Sequence, residues 1–147
     1  MFRDNIRKLC SSRGLRMKDL ADRSGMSRQG LNNALVRKKW ETRELRWLFG
    51  VICLEPVVLC FSDEATGERI GTPRPELMLE RRMLPLAEAG RILDMPMTRV
   101  YRRCSLGLWY RDELIDIACA CSMTVEMRDM QGNVIYIFDE SDRNKEE

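Results

Sequence analysis

Apolar residues recur at helical spacing along the N-terminal third of the chain. The spacing i, i+4, i+7 and i+8 predicts a first helix, whose buried face comprises Phe2, Ile6, Leu9 and Cys10. A later helix, which we expect Thr42 to cap, repeats such a face through Leu45, Leu48, Phe49 and Ile52. Trp40 stands just before that helix and is expected to close the bottom of the small core.

Between these two helices, the segment Met17–Val36 predicts a helix, a tight turn and a second helix. The turn is expected at Gly25, because glycine adopts the backbone angles that a tight turn needs, and Ala21 is small enough to let the helices approach closely. Ser27 is placed to cap the second helix. The outer face of that helix carries polar side chains, which suit the edges of bases in a major groove. They are Arg28, Gln29, Asn32 and Asn33.

On these residues, the segment Phe2–Ile52 resembles the helix-turn-helix domain of the lambda-repressor and Cro-like family. The resemblance implies a regulator of phage or mobile-element type that occupies double-stranded DNA and blocks polymerase. Bases would then be contacted by Arg28, Gln29, Asn32 and Asn33. Phosphate contacts would come from Arg16, Lys18, Ser27, Arg37, Lys38 and Lys39. The basic turn Arg37–Lys39 also fits a solvated loop, and that alternative stays open.

The period of the pattern changes after Pro56. Val57–Phe61 and Glu68–Ile70 predict one β-hairpin, and Val125–Asp129 and Val134–Phe138 predict another, joined through a Gly-Asn turn. Neither hairpin alternates apolar and polar residues, so both faces of each are expected to need cover. We therefore expect a homodimer that forms through the strands, with contacts from Val57, Leu59, Phe61, Ile135 and Ile137.

An internal repeat relates the two halves of the chain. When the numbering is shifted by 69, residues 13–52 align with later residues without a gap, so that Trp40 falls on Trp109 and Glu44 on Glu113. The sequence therefore predicts a mainly α fold with small β-hairpins, built from two tandem helix-turn-helix units, each of four helices followed by a hairpin. The first unit would span residues 1–70, the second residues 71–139, and an acidic, disordered tail residues 140–147. A linker is expected near Gly71–Arg74.

The second unit departs from the pattern of the first. Asp94 stands at the position of the turn glycine, Pro96 at that of the capping serine, and Arg103 at a position that faces the core in the first unit. The outer face of its second helix carries Met97, Thr98, Tyr101 and Arg102. These changes leave open whether this face binds DNA or a protein partner.

Charge is distributed unevenly along the chain, although the net charge is only +2. Residues 1–50 hold 13 Lys and Arg against 5 Asp and Glu, whereas residues 71–147 hold 11 against 14. An anionic partner should therefore prefer the N-terminal half. No run of residues suits a membrane helix, and we expect a soluble, cytoplasmic protein.

Candidate catalytic chemistry is sparse. The chain has six cysteines and no histidine, which favours buried, reduced thiols over a metal site. It has no Gly-rich phosphate loop and no nucleophile beside an evident base, so we predict no enzymatic activity and no cofactor.

Two functions remain open at this point. The first is a sequence-specific DNA-binding transcriptional regulator, a repressor of the kind that the resemblance implies. The second is a protein-binding inhibitor of a host defence nuclease, similar to anti-CRISPR proteins, which would use the helix-turn-helix only as a scaffold. The basic first unit favours DNA, whereas Met97 and Tyr101 of the second unit favour a protein.

Overall fold

The computed structural model describes residues 1–37, 39–71 and 84–144. In these ranges the chain forms seven α-helices and a four-stranded antiparallel sheet. The first half contains α1 (Phe2–Ser12), α2 (Met17–Ser24), α3 (Arg28–Leu35), α4 (Thr42–Cys53), β1 (Val57–Asp63) and β2 (Arg69–Gly71). The second half contains α5 (Leu86–Leu93), α6 (Met97–Leu106), α7 (Arg111–Ala120), β3 (Met123–Asp129), β4 (Val134–Phe138) and a 3₁₀ helix (Glu140–Asp142). The predicted combination of helices with small β-hairpins is confirmed, while the predicted linker lies outside the described residues after Gly71.

The local signals of the helix-turn-helix segment produce the expected geometry. Helix α2 ends at Gly25, which has φ of 72° in the left-handed region that glycine adopts without strain. Helix α3 is capped by Ser27, whose Oγ accepts the Gly30 N–H at 2.9 Å. The expected cap at Thr42 is wrong, because Thr42 is the first residue of α4 and the cap position belongs to Glu41, whose N–H donates to Glu44 Oε1 at 3.2 Å. The Thr42 hydroxyl instead donates to the Gly107 carbonyl in the second half, at 3.1 Å.

The helices of the two halves occupy matching positions in the sequence. Helices α5, α6 and α7 begin 69 residues after α2, α3 and α4 respectively. Asp94 adopts the left-handed conformation of Gly25, with φ of 54°. Gly90 is required at its position, because a Cβ there would lie 2.6 Å from the Met95 carbonyl oxygen. The second half therefore keeps the helix spacing of the first while changing the residues of the turn.

A pair of reciprocal hydrogen bonds joins the two halves where α4 and α7 begin. The Thr42 N–H donates to the Trp109 carbonyl at 2.9 Å, and the Arg111 N–H donates to the Trp40 carbonyl at 2.7 Å. The two donors are 69 residues apart in the sequence, and so are the two acceptors. Such an exchange of bonds is what a local two-fold axis through an antiparallel pair produces. Trp40 and Trp109 are both buried beside it.

The two hairpins join into one sheet with the strand order β2-β1-β3-β4. Strands β1 and β3 pair over their whole length, with Cys60 opposite Glu126 at the centre. One face of the sheet belongs to the hydrophobic core, which contains residues from both halves. The ring of Phe49 on α4 packs against Tyr136 and Phe138 on β4, with centroid distances of 5.1 and 5.6 Å. Helices of the first half thus cover strands of the second.

The opposite face of the sheet is not apolar as the strand pattern predicted. Because β3 lies between β1 and β4, Glu126 separates Cys60 from Ile137 in one row across the sheet. The Glu126 carboxylate accepts from the Ser62 hydroxyl and from Arg128 Nε, both at 2.6 Å. This buried polar cluster occupies the face that was expected to form a hydrophobic contact with a second chain. Of the predicted dimer residues, Leu59 and Phe61 are buried, Val57 and Ile135 are half-buried, and Ile137 is exposed.

The acidic C-terminal segment is packed against the protein as far as Asn144. Asp142 and Asn144 are 0% and 4% exposed. The expectation of disorder is therefore wrong for residues 140–144, and residues 145–147 lie outside the described part of the chain.

Crossing a membrane would take a longer and more apolar helix than any found in the described ranges.

Candidate nucleic-acid interface

Helix α3 presents a polar face to solvent because its apolar residues follow helical spacing. Leu31 and Leu35 are buried in the core, four residues apart on one side of the helix. Gln29 and Asn33 lie on the other side and are exposed, and Arg28 is exposed as well, at the N-terminal end of the helix. The Gln29 amide nitrogen donates to Asn33 Oδ1 at 3.0 Å, which orients both amides across one turn. Three of the four predicted base-contacting side chains are thus accessible.

Asn32, the fourth predicted base-contacting residue, is half-buried. Its Oδ1 accepts from Arg3 Nη1 of α1 at 3.4 Å. This contact joins α1 to α3 and uses the oxygen that a base would otherwise contact. Asn32 is therefore better placed to position the helix than to read sequence.

A groove of about 430 Å³ lies beside the N-terminal end of α3. It is lined by Arg7, Met17, Arg28, Gln29, Leu31 and Asn32. Arg7 and Arg28 are exposed at this groove, and neither pairs with a carboxylate among the described residues. The groove therefore combines a mostly polar lining with two available guanidinium groups, which favours an anionic group such as a backbone phosphate.

Sequence reasoning missed Arg7 as a member of this site. Arg3 and Arg7 are four residues apart and so share one side of α1. That spacing was visible in the sequence, but only the packing of α1 beside α3 brings Arg7 to the groove at the exposed end of α3. The useful signal was the pair of arginines that flanks the apolar stripe.

The predicted phosphate-binding residues near α2 and α3 differ in availability. Lys18 is exposed and has no carboxylate partner among the described residues. Arg16 is exposed but lies 3.3 Å from Asp19, measured from Nε to Oδ2. The backbone N–H of Arg16 also donates to Asp19 and holds the pKa of that carboxyl below its usual value. Because Ser27 Oγ already accepts the Gly30 N–H, Ser27 would contact a phosphate by donating its hydroxyl proton.

The basic turn after α3 is partly engaged within the chain. Arg37 Nη2 lies 2.5 Å from Glu44 Oε2, and its guanidinium carbon lies 4.8 Å from the Trp40 ring centroid. Lys39 is exposed, with Nζ 5.5 Å from the Tyr110 ring centroid. Lys38 lies outside the described residues. Lys39 is therefore more available to a phosphate than Arg37.

Helix α6 of the second half carries the other predicted face. Met97 and Tyr101 are 52% and 51% exposed, and Thr98 and Arg102 are exposed beside them. Arg103 does not add to this face, since it pairs with Glu113 at 2.6 Å and stacks 5.0 Å from the Tyr110 ring centroid. The face is thus amphipathic, with no acidic residue among its four members.

Arg111 does not supply surface charge to the second half. It is 1% exposed, and its guanidinium carbon lies 4.9 Å from the Phe2 ring centroid. Its Nε is 3.0 Å from Asp112 Oδ1. Arg111 therefore anchors α7 to α1, and the positive charge that α6 exposes comes from Arg99 and Arg102.

The cysteines and carboxylates form no evident reactive centre in the described part of the chain. No group of three side chains there is arranged to hold a metal ion. Burial raises the pKa of the thiols of Cys10, Cys53, Cys60 and Cys121, which disfavours their thiolates. Cys119 is exposed, so the expectation of burial fails for that thiol.

Comparisons of the chain with protein-family models, with curated proteins and with solved structures found no match.

Proposed function

We propose that this protein is a sequence-specific DNA-binding regulator of helix-turn-helix type, which represses transcription by occupying an operator. The observation that carries the proposal is the exposed face of α3, capped by Ser27 and bordered by the groove that contains Arg7. The resemblance to the lambda-repressor and Cro-like family agrees with this arrangement.

The chemistry of α3 suits the major groove of DNA. Arg28 is the first residue of the helix, the end from which recognition helices reach base edges. An arginine there pairs with O6 and N7 of guanine, and the amides of Gln29 and Asn33 suit adenine. Phosphates on either side would be held by Arg7, Lys18 and Lys39, whose charges are available.

The reciprocal bonds between the halves and the common offset of 69 residues support a bipartite site. In this proposal α3 and α6 would read two half-sites about one helical turn apart, roughly 34 Å. Their outer faces differ, so the half-sites should differ too. Met97 and Tyr101 offer apolar contact of the kind that thymine methyl groups accept. One chain would then do what usually takes a dimer.

Self-association, as expected from the hairpins, is proposed for strand β4. Strands β1 and β3 pair with each other within the chain, which leaves β4 at an edge of the described sheet. Ile137 on β4 is exposed there. A homodimer formed through this edge would hold two bipartite sites together.

Selection from a random pool of duplexes with the full chain, followed by quantitative binding, tests the proposal. Arg28→Ala should weaken binding to the selected duplex about 5- to 150-fold, the range expected when one bidentate contact is lost. Arg13→Ala is the matched control, because Arg13 is exposed in the same half but outside the groove. Failure of the full chain to bind any duplex at low salt would refute the proposal.

Inhibition of a host nuclease remains a second candidate because of the exposed apolar side chains of α6. Met97 and Tyr101 together form the kind of anchor that protein interfaces use. Binding of a nuclease that Tyr101→Ala abolishes and Arg28→Ala leaves intact would favour this function over DNA binding.

A further inference from the structure

The side chain of Asn144 links three backbone groups of the DNA-binding half. Its Nδ2 donates to the Leu35 carbonyl at 3.0 Å and to the Arg37 carbonyl at 2.7 Å. Its Oδ1 accepts the Phe2 N–H at 3.3 Å. Asn144 is 4% exposed, so these bonds are shielded from water.

Two of the three groups that Asn144 satisfies are ones that helices leave unpaired. Leu35 is the last residue of α3, and carbonyls in the last turn of a helix have no partner within it. Phe2 is the first residue of α1, where the N–H groups lack partners for the same reason. One amide therefore joins the C-terminal end of α3 to the N-terminal end of α1.

The segment that carries Asn144 is fixed on both sides. The buried Asp142 carboxylate accepts from Asn5 Nδ2 at 2.9 Å and from the Tyr136 hydroxyl. Arg143 pairs with Asp116 of α7. The segment that carries Asn144 is thus held by the sheet and α7 of the second half as well as by α1.

We infer that Asn144 is a positioning residue for α3, and that the C-terminal segment makes sequence-specific DNA binding depend on the second half. This inference rests on the proposed function of α3. The amide holds α3 against α1, and with it the spacing between Arg28 and Arg7 across the groove. Base contacts tolerate displacements of only about 0.5 Å, whereas phosphate contacts tolerate more.

The test compares Asn144→Ala with Asn133→Ala. Asn133 is the matched control, because its exposed amide also makes a side-chain bond, to Asp129 at 3.0 Å, but in the β3–β4 turn. Asn144→Ala should bind the duplex selected by the wild-type chain about tenfold more weakly, while its affinity for unrelated duplex and its salt dependence stay unchanged. Asn133→Ala should remain within about twofold of wild type. A purely structural role would lower the unfolding midpoint without changing the ratio of specific to non-specific affinity.

Asn144→Asp tests the bonds to α3 separately from the bond to α1. It also replaces Asn144→Ala as the test variant if the alanine variant does not fold. The aspartate keeps an acceptor for the Phe2 N–H but has no donor for the two carbonyls. It should lose specific affinity as the alanine variant does, since the bonds to α3 are the ones removed.

Hydrogen exchange measures the link without DNA. In Asn144→Ala the amides in the last turn of α3 and that of Phe2 should exchange faster, while those of α6 should not change. Unchanged exchange and unchanged specificity in the folded variants would overturn the role of Asn144 alone. A wild-type chain that selects no duplex would overturn the proposed function and, with it, this role.

Discussion

The dependence of DNA affinity on salt concentration is the sharpest test of the proposed interface. Its cations fall into two groups, those that already form an ion pair within the protein and those that do not. Arg7, Lys18 and Lys39 are exposed and have no carboxylate partner among the described residues. Arg16 pairs with Asp19 and Arg37 with Glu44. A cation that is already neutralised within the protein releases fewer counterions when it meets a phosphate.

The magnitude follows from counting the available cations. Each phosphate neutralised contributes about −0.9 to the slope of log K against log salt, so three such cations predict a slope of roughly −2.7. Arg7→Ala should make the slope less negative by about 0.9. The factor by which Arg7→Ala weakens binding should therefore be about threefold smaller at 200 mM salt than at 50 mM salt. Arg37→Ala should change the slope by much less, because Glu44 already balances its charge.

Fluorescence anisotropy with the selected duplex at several salt concentrations gives these slopes directly. Arg13→Ala, with an exposed arginine outside the groove, should leave the slope unchanged. Equal changes for Arg7→Ala and Arg37→Ala would show that the ion pair with Glu44 does not decide availability, and would refute the reasoning.

Three other predictions concern stability and assembly. Gly90→Ala should lower the free energy of unfolding by about 1–3 kcal/mol, because the new Cβ meets the Met95 carbonyl at 2.6 Å. Gly50→Ala is the control and should not destabilise the protein, because the nearest atom to its new Cβ, the Glu55 carbonyl oxygen, lies at 3.5 Å. Chemical denaturation measures the free energy of unfolding of both variants. The carboxyl of Asp142 should titrate above its ordinary pKa of 3.8, because burial disfavours the charge, and NMR of the side-chain carbon reads this. The Asp142 carboxyl therefore contributes to the free energy of unfolding at pH values below its ordinary pKa. This contribution is lost as the pH rises through the raised pKa of the folded state. Ile137→Lys should turn a dimer into a monomer by light scattering at micromolar concentration, whereas a monomeric wild type would rule out association through β4.

Features that depend on neighbouring residues were predictable from the sequence. The helical faces, the Ser27 cap and the turn at Gly25 each involve residues within about one turn of helix, so their signals are local. The repeat offset of 69 likewise appears as the spacing of the helix starts. The cap at Thr42 failed because α4 begins one residue earlier than that cap requires, which puts Glu41 at the cap position.

The candidate site was predictable only in part. Helical spacing assigned Gln29 and Asn33 to the side of α3 opposite Leu31 and Leu35, and Arg28 is exposed as the first residue of the helix. The same spacing could not reveal that Asn32 would be engaged by Arg3, or that Arg7 would join the groove. These contacts depend on how α1 packs beside α3.

Long-range pairing decided the rest. The strand pattern predicted two apolar faces, but the pairing of β1 with β3 puts Glu126 beside Cys60 and changes the character of one face. Arg111 is buried because α7 meets Phe2, more than a hundred residues away in the chain. The acidic tail reads as disordered by composition, yet Asn144 binds backbone groups of α1 and α3. Composition and periodicity describe what a segment can bury by itself, whereas each of these outcomes depends on unpaired groups that another segment presents.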